Sequence, residues 1–196
     1  MPSPSAIVSE VREHGFSLQR GMVPVPIVNT ILGPMVRNLH DLDCYASFKH
    51  RVLRLDIVPK HDRQACIVPE VSTVFTEALG ANGITIQEIY LAPPGHFLPH
   101  PWHQDANEGN QVYHFMVWIA ATPCGMDAPG LTFIKGNPGK FIGREIGAYM
   151  LGREMVSPVF EPGDAVFFDT FTLHKTNIIP NMKFGRVAYK LGAKAI

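Results

Sequence analysis

Residues 101–105 read Pro101-Trp102-His103-Gln104-Asp105. Pro99 and Pro101 flank His100 and deny the segment an uninterrupted helix, because proline removes a backbone donor and restricts the residue before it. An extended segment makes His103 and Asp105 neighbours on one side, since side chains of extended backbone alternate with period two. The i, i+3 pair His100 and His103 would suit a helix, and the prolines set that pairing aside. The stretch is therefore expected to be extended.

Outward from it, the chain carries the texture of short strands joined by turns. Seventeen Pro and 17 Gly are spread along 196 residues, mostly between short apolar runs, a spacing that favours strands over a helical bundle. Strands are expected at 84–91, 112–120, 131–134, 155–160, 165–169 and 186–191. Turns are expected at Lys135-Gly136-Asn137-Pro138-Gly139 and Glu161-Pro162-Gly163-Asp164. Upstream, Phe16 and Leu18 alternate with polar residues up to Gly21. Pro24-Val25-Pro26 opens a helix, and 52–58 reads as a strand. Residues 68–79 read as a second helix, with Glu70 in its first turn and Gly80 after its last. Residues 141–153 are ambiguous between a short helix and a lid. Together these elements suit a two-sheet antiparallel barrel or jelly roll with helices on one outer face. The 196 residues form a single domain, with 1–83 an N-terminal strand and helices packed on the barrel and 84–196 the barrel core.

One imidazole and one carboxylate leave a divalent ion short of protein ligands. Of the nine histidines, His174 is the best third donor. It follows the run Ala165 to Asp169 and lies 71 positions after His103, far enough for several strands to return the chain to the same place. His114, among apolar residues, reads better as a core or pocket residue. Two His and one carboxylate on one face of an ion leave three positions open, an arrangement associated with non-haem Fe(II) oxygenases. Arg186 follows His174 in Gly185-Arg186-Val187-Ala188-Tyr189. A charge in such an apolar strand needs an anionic partner. Either a protein carboxylate such as Asp164 or Asp169, or the free carboxylate of an oxo-acid gripped by two parallel hydrogen bonds, would serve.

As a set, Pro101-Trp102-His103-Gln104-Asp105, the Pro162-Gly163-Asp164 lead-in, His174 and the trailing Arg186 resemble the phytanoyl-CoA hydroxylase-like family. These are Fe(II)- and 2-oxoglutarate-dependent dioxygenases on a double-stranded β-helix. The resemblance covers about residues 84 to 191, with a further match of Gly15 to Leu39 to the family's first strand and helix. It implies a mainly β, cupin-like jelly roll. Fe(II) would be held by His103, Asp105 and His174, and 2-oxoglutarate by Arg186, with O2 as the second cosubstrate. It also implies that Trp118 borders the cosubstrate, that Thr176 hydrogen-bonds its carboxylate, and that Gln87 and Tyr90 line the pocket. Two departures stand out. The family more often has Gly-Ser after the distal His, where this chain has Lys175-Thr176, and Gly130-Leu131 lacks a frequent Asn-Gly. The carboxylate of Asp105 argues against a halogenase, which needs that coordination site open.

The expected activity is oxidation of an unactivated C–H of a small-molecule metabolite or natural-product intermediate, with hydroxylation the first outcome. Desaturation or cyclisation uses the same iron chemistry. A cupin-type metal- or ligand-binding protein without 2-oxoglutarate turnover is the alternative of a different class. Phe115, Val117, Phe133, Tyr149 and Met150 are candidate apolar walls for the substrate, and Arg51, Arg54, Lys140 and Arg144 could meet an acidic group. Seventeen Lys plus Arg balance 17 Asp plus Glu, so no nucleic acid or anionic membrane is expected as partner. No apolar run is long enough to span a bilayer, and the first residues lack the pattern of a secretory signal. Three widely spaced cysteines, Cys44, Cys66 and Cys124, argue against a disulfide framework and for a reducing compartment. A cytoplasmic location fits, and a homodimer is compatible with these features.

Overall fold

The computed structural model describes residues 1–30, 67–80, 84–92 (by their backbone), 100–109, 112, 114–180 and 182–194. The expected strand at 52–58 and most of the helix opened by Pro24 lie outside these residues. The described start of that helix, 25–30, is helical.

Ser3 starts α1 (Pro4–His14): its hydroxyl accepts from Ala6 N at 3.2 Å, and Pro4 occupies the first turn, where a missing N–H costs nothing. This helix was not anticipated from the sequence, although Ile7, Val8 and Val11 give it an apolar stripe that is wholly buried. It ends at Gly15, whose φ of 87° turns the chain straight into β1 (Phe16–Gln19). A Cβ there would stand 2.7 Å from Gly136 O, so no other residue fits the close approach. The second helix, α2 (Pro69–Leu79), buries Val71, Val74 and Phe75 as its stripe predicts.

Seven more strands follow: β2 (Ile84–Ala92), β3 (His114–Ala120), β4 (Gly130–Ile134), β5 (Met155–Val156), β6 (Ala165–Asp169), β7 (His174–Asn177) and β8 (Arg186–Lys194). They form a five-stranded sheet in the order β1-β6-β3-β8-β2 and a three-stranded sheet in the order β5-β4-β7, with every pairing antiparallel. Strand β7 was not expected. The run 155–160 contributes a two-residue strand and, at Phe160, an isolated bridge to Cys124. The ambiguous 141–153 resolves into a 3-10 turn (Gly143–Glu145) and a short helix α3 (Ile146–Met150).

Alternation along the strands divides the apolar residues into two cores. Phe115, Val117 and Ile119 of β3, Phe167 of β6 and Val187, Tyr189 and Leu191 of β8 pack against α1 and α2. Met116, Trp118 and Ala120, then Val166 and Phe168, then Ala188 face the small sheet, where they meet Leu131 and Phe133. The large sheet is thus buried on both faces, by helices on one side and by the second sheet on the other. The result is a double-stranded β-helix. The turn at 161–164 is drawn tight by Gly163 (φ 91°), where a Cβ would lie 2.2 Å from Val23 O. Asp164 locks it by accepting from Glu161 N, Gly21 N and Arg20. Among the described residues no helix is long and apolar enough to cross a membrane.

Candidate metal centre

His103 lies just outside the sheets, on the connection to β3, while His174 opens β7. Their backbones pair directly, His103 N to His174 O and His174 N to His103 O, both at 3.0 Å. This two-residue bridge carries the 101–105 stretch onto the small sheet and sets the two rings 4.2 Å apart. Asp105, two residues on, reaches the same point. One ligand atom from each of His103, Asp105 and His174 lies within 4.8 Å of the others.

The orientation of both rings has a common cause. His103 Nδ1 lies 2.8 Å from Pro101 O, and His174 Nδ1 lies 3.0 Å from Thr172 O. A carbonyl only accepts, so each Nδ1 carries the proton and each Nε2 presents a lone pair. Ring placement by a backbone carbonyl on the far nitrogen is how metal-ligating histidines are usually held. Burial lowers the pKa of His103 to about 4, with the neighbouring His174 adding to the effect and Asp105 opposing it. Burial lowers His174 as well. Burial alone would raise the Asp105 carboxyl, but Lys190 and His174 outweigh it and hold the group well below the usual carboxylate range. At neutral pH the site therefore offers two neutral imidazoles and one carboxylate, the protonation states a divalent metal requires.

The cleft around this triad is small and is lined by His100, Trp118, Leu131, Phe168, Thr176, Arg186 and Lys190 beside the three donors. Arg186 is 4% exposed, its guanidinium 5.8 Å above the Trp118 ring and donating to Gly130 O at 3.2 Å. The two carboxylates considered as its partners are engaged elsewhere. Asp164 serves Arg20 and the turn, and Asp169 accepts from Asn137, Phe171 N and Thr172. Trp118 and Thr176 thus stand beside Arg186 in the cleft. Of the strand positions named with them, Tyr90 is in register with Ala188 and Gln87 with Leu191. Ala188 belongs to the core between the sheets and Leu191 to the helix-side core.

Four residues near the triad have roles that were not anticipated. Lys190 pairs with Asp105 Oδ2 at 2.8 Å; its signal was period two, which puts it on the Arg186 face of β8. Leu131 and Phe168 line the cleft where other apolar residues were expected. Gln104, quoted in the motif but given no role, is buried and donates to Lys140 O (2.9 Å) and Phe171 O (2.6 Å) while accepting from Ile142 N (2.8 Å). It ties the motif to the segment after β4 and to the turn before His174. Two further histidines weighed in the sequence are placed as follows. His100 lines the cleft with its ring 3.6 Å from His103, outside the triad. His114 stands at the first position of β3 and is half-buried.

The apolar walls proposed for a substrate are corrected. Phe115 and Val117 point into the helix-side core, because alternation gives their neighbours Met116 and Trp118 to the other face. Phe133 is fully buried beneath His174 and stacks on Phe16. Tyr149 lies against Gly136 and under Arg153, and neither it nor Met150 lines the cleft. Lys140 and Arg144 are exposed and are likewise absent from its lining. Arg51 and Arg54 lie outside the described residues. Cys124, the one cysteine among them, is free and buried, and burial raises its thiol to about 12.

No protein-family model matches the chain, and no curated protein matches it in sequence. Solved structures do match in fold. The non-heme alpha-ketoglutarate-dependent carbocyclase SnoK from nogalamycin biosynthesis superposes with a TM-score of 0.76 at 16% identity, over 100% of this chain and 87% of its own. EctD from S. alaskensis, solved with 2-oxoglutarate and 5-hydroxyectoine, reaches 0.77 at 16% identity, over 99% of this chain and 77% of its own. The epimerase SnoN, solved with Fe3+, alpha ketoglutarate and nogalamycin RO, reaches 0.72 at 13% identity, over 98% of this chain and 86% of its own. At these identities the likeness establishes the double-stranded β-helix.

Proposed function

We propose that the protein is an Fe(II)- and 2-oxoglutarate-dependent oxygenase of the phytanoyl-CoA hydroxylase-like group, acting on a small molecule. The observation that carries this is the convergence of His103, Asp105 and His174, both Nε2 atoms free by hydrogen bonding, in one cleft with the buried Arg186. The donor set fits ferrous iron with an open face. When bound, iron and the oxo-acid supply the oxidising chemistry: dioxygen is consumed, 2-oxoglutarate becomes succinate and CO2, and a C–H bond of the substrate is oxidised.

The chain's own residues do the rest. His103, Asp105 and His174 hold the ion. Arg186 takes the distal carboxylate of the oxo-acid, with Thr176 beside it, and Trp118 walls that pocket with its ring 5.8 Å from the guanidinium. Phe168 and Leu131 keep water from the centre. A buried guanidinium beside a metal triad is what separates this reading from a cupin that only binds metal. Hydroxylation is the first outcome. Ring closure or desaturation by the same iron chemistry is the second reading, and ring closure is the one favoured by the carbocyclase among the structural neighbours.

The test is an anaerobic titration with Fe(II) and 2-oxoglutarate, followed by the weak visible charge-transfer band of the ternary complex. Succinate release under air, screened against a metabolite library, then identifies substrates that stimulate turnover. If His174→Ala or Asp105→Ala kept both the band and succinate formation, the assignment would fail.

A further inference from the structure

Arg186, Ala188 and Lys190 share the cleft-facing side of β8, while Val187, Tyr189 and Leu191 face the helices. Lys190 therefore brings a second cation into the cleft, with its side chain only 9% exposed. Its ammonium does not reach toward solvent. It lies 2.8 Å from Asp105 Oδ2 and 6.0 Å from the centre of the Phe168 ring. The other carboxylate oxygen, Oδ1, is the one that faces His103 Nε2, at 3.8 Å. The two oxygens of Asp105 are thus directed to different tasks.

We propose that Lys190 is a positioning residue of the metal centre: it holds Asp105 by Oδ2, so that the carboxylate offers the metal Oδ1 alone. This rests on the metal reading given above. The torsion that turns a carboxylate is soft and roughly two-fold, so an untethered Asp105 can rotate and chelate with both oxygens. Chelation would fill one of the three positions that the oxo-acid and dioxygen need. A part-buried, charge-assisted hydrogen bond removes that freedom. The ammonium repels the incoming cation, but it does so from the far side of the carboxylate, with Asp105 between the two.

The experiment compares full-length wild type, Lys190→Met and Lys190→Arg by anaerobic titration with Co(II) alone, read by calorimetry and by the visible d–d spectrum. Partners that orient a ligand typically contribute 10- to 100-fold to metal affinity. Lys190→Met is expected to bind Co(II) about 10- to 100-fold more weakly and with an altered spectrum. Lys190→Arg is expected to restore the wild-type spectrum and most of the affinity, which a merely structural role in the strand would not produce. Circular dichroism of the metal-free variants checks folding, and Lys190→Gln, which keeps a donor without the charge, replaces Lys190→Met if that variant does not fold. Equal or tighter Co(II) binding by the neutral variant overturns the proposal, for Lys190 would then be only a counter-ion that metal displaces. A wild type that binds no Co(II) overturns the metal reading and this proposal with it, and that failure is seen in the wild type rather than in the variants.

Discussion

His103 and His174 are held by the same local device, a carbonyl two residues earlier on Nδ1, but in opposite surroundings. His174 opens a strand, is 5% exposed, and sits between Phe133 and Phe168. The turn before it is locked by Asp169, whose carboxylate accepts from Phe171 N and Thr172 N, while Thr172 Oγ1 donates to Gly15 O. His103 is half-buried on a connection outside the sheets and owes its place to the bridge with His174 and to the side chain of Gln104. One half of the site is part of the β-helix core and the other is laid onto it. A centre assembled this way separates the residues that build the fold from those that complete the chemistry.

Substitution at the two histidines should break the comparison most visibly. Both His103→Ala and His174→Ala are expected to abolish the Fe(II)–2-oxoglutarate band and succinate formation. They should differ in stability: His174→Ala opens a hole in a packed core and is expected to cost about 2–4 kcal/mol in urea unfolding, whereas His103→Ala should stay within about 1 kcal/mol. Equal costs would mean that the two halves are supported alike.

Arg186→Leu tests the strand half without touching a metal donor. Iron or Co(II) binding should persist, while affinity for 2-oxoglutarate falls by at least about 100-fold, the scale of a lost bidentate charge-assisted contact. Unchanged 2-oxoglutarate binding would favour the metal cupin.

Gln104→Leu separates the halves. It leaves Lys140 O, Phe171 O and Ile142 N without their present partner, and each buried group so stranded costs about 1–3 kcal/mol before relaxation. We expect a net loss of about 2–3 kcal/mol and metal binding weakened by roughly 10-fold, measured by unfolding and calorimetry. A metal affinity equal to wild type would show that the His103–His174 bridge suffices.

A separate effect is that of pH on the metal-free protein. His103 titrates near pH 4 in the fold and near 6.5 when unfolded, and His174 is shifted the same way. The unfolded chain therefore takes up protons first as pH falls, so stability is full above about pH 6.5 and is lost toward pH 4, by roughly 1 kcal/mol per pH unit for His103, with His174 acting in the same direction. Urea midpoints at pH 7, 5.5 and 4.5 measure it. His103→Ala should flatten part of this slope. The lowered Asp105 carboxyl extends the loss only at more acid pH.

Much of this was legible in the chain. The prolines beside His100 and the period-two spacing of His103 and Asp105 give a local rule that needs no tertiary information. The apolar runs of β3 and β6, with the turn chemistry at 161–164, likewise place strands within a residue or two. What escaped was whatever depends on which face a strand turns to which layer. Phe115 and Val117 look like pocket walls in the sequence because both faces of β3 are apolar. A strand buried on both sides loses the alternation that would reveal its orientation. The short β7 escaped because four residues, His174–Asn177, carry too little apolar signal, and α1 because its stripe occupies only three positions.

The residue types fixed by local backbone chemistry and donor inventory were determined by the sequence alone: the His-x-Asp pair, the distant His174, the strand-borne Arg186. A metal's need for two imidazoles and a carboxylate constrains composition and order in a way that a linear reading can detect. The partnership of Lys190 with Asp105 and the threefold clasp of Gln104 were decided only by tertiary structure. Both link segments far apart in the chain, 85 positions for Lys190 and Asp105 and 67 for Gln104 and Phe171. A hydrogen bond of that reach exists only once the sheets have closed and excluded the water that would otherwise satisfy each group separately.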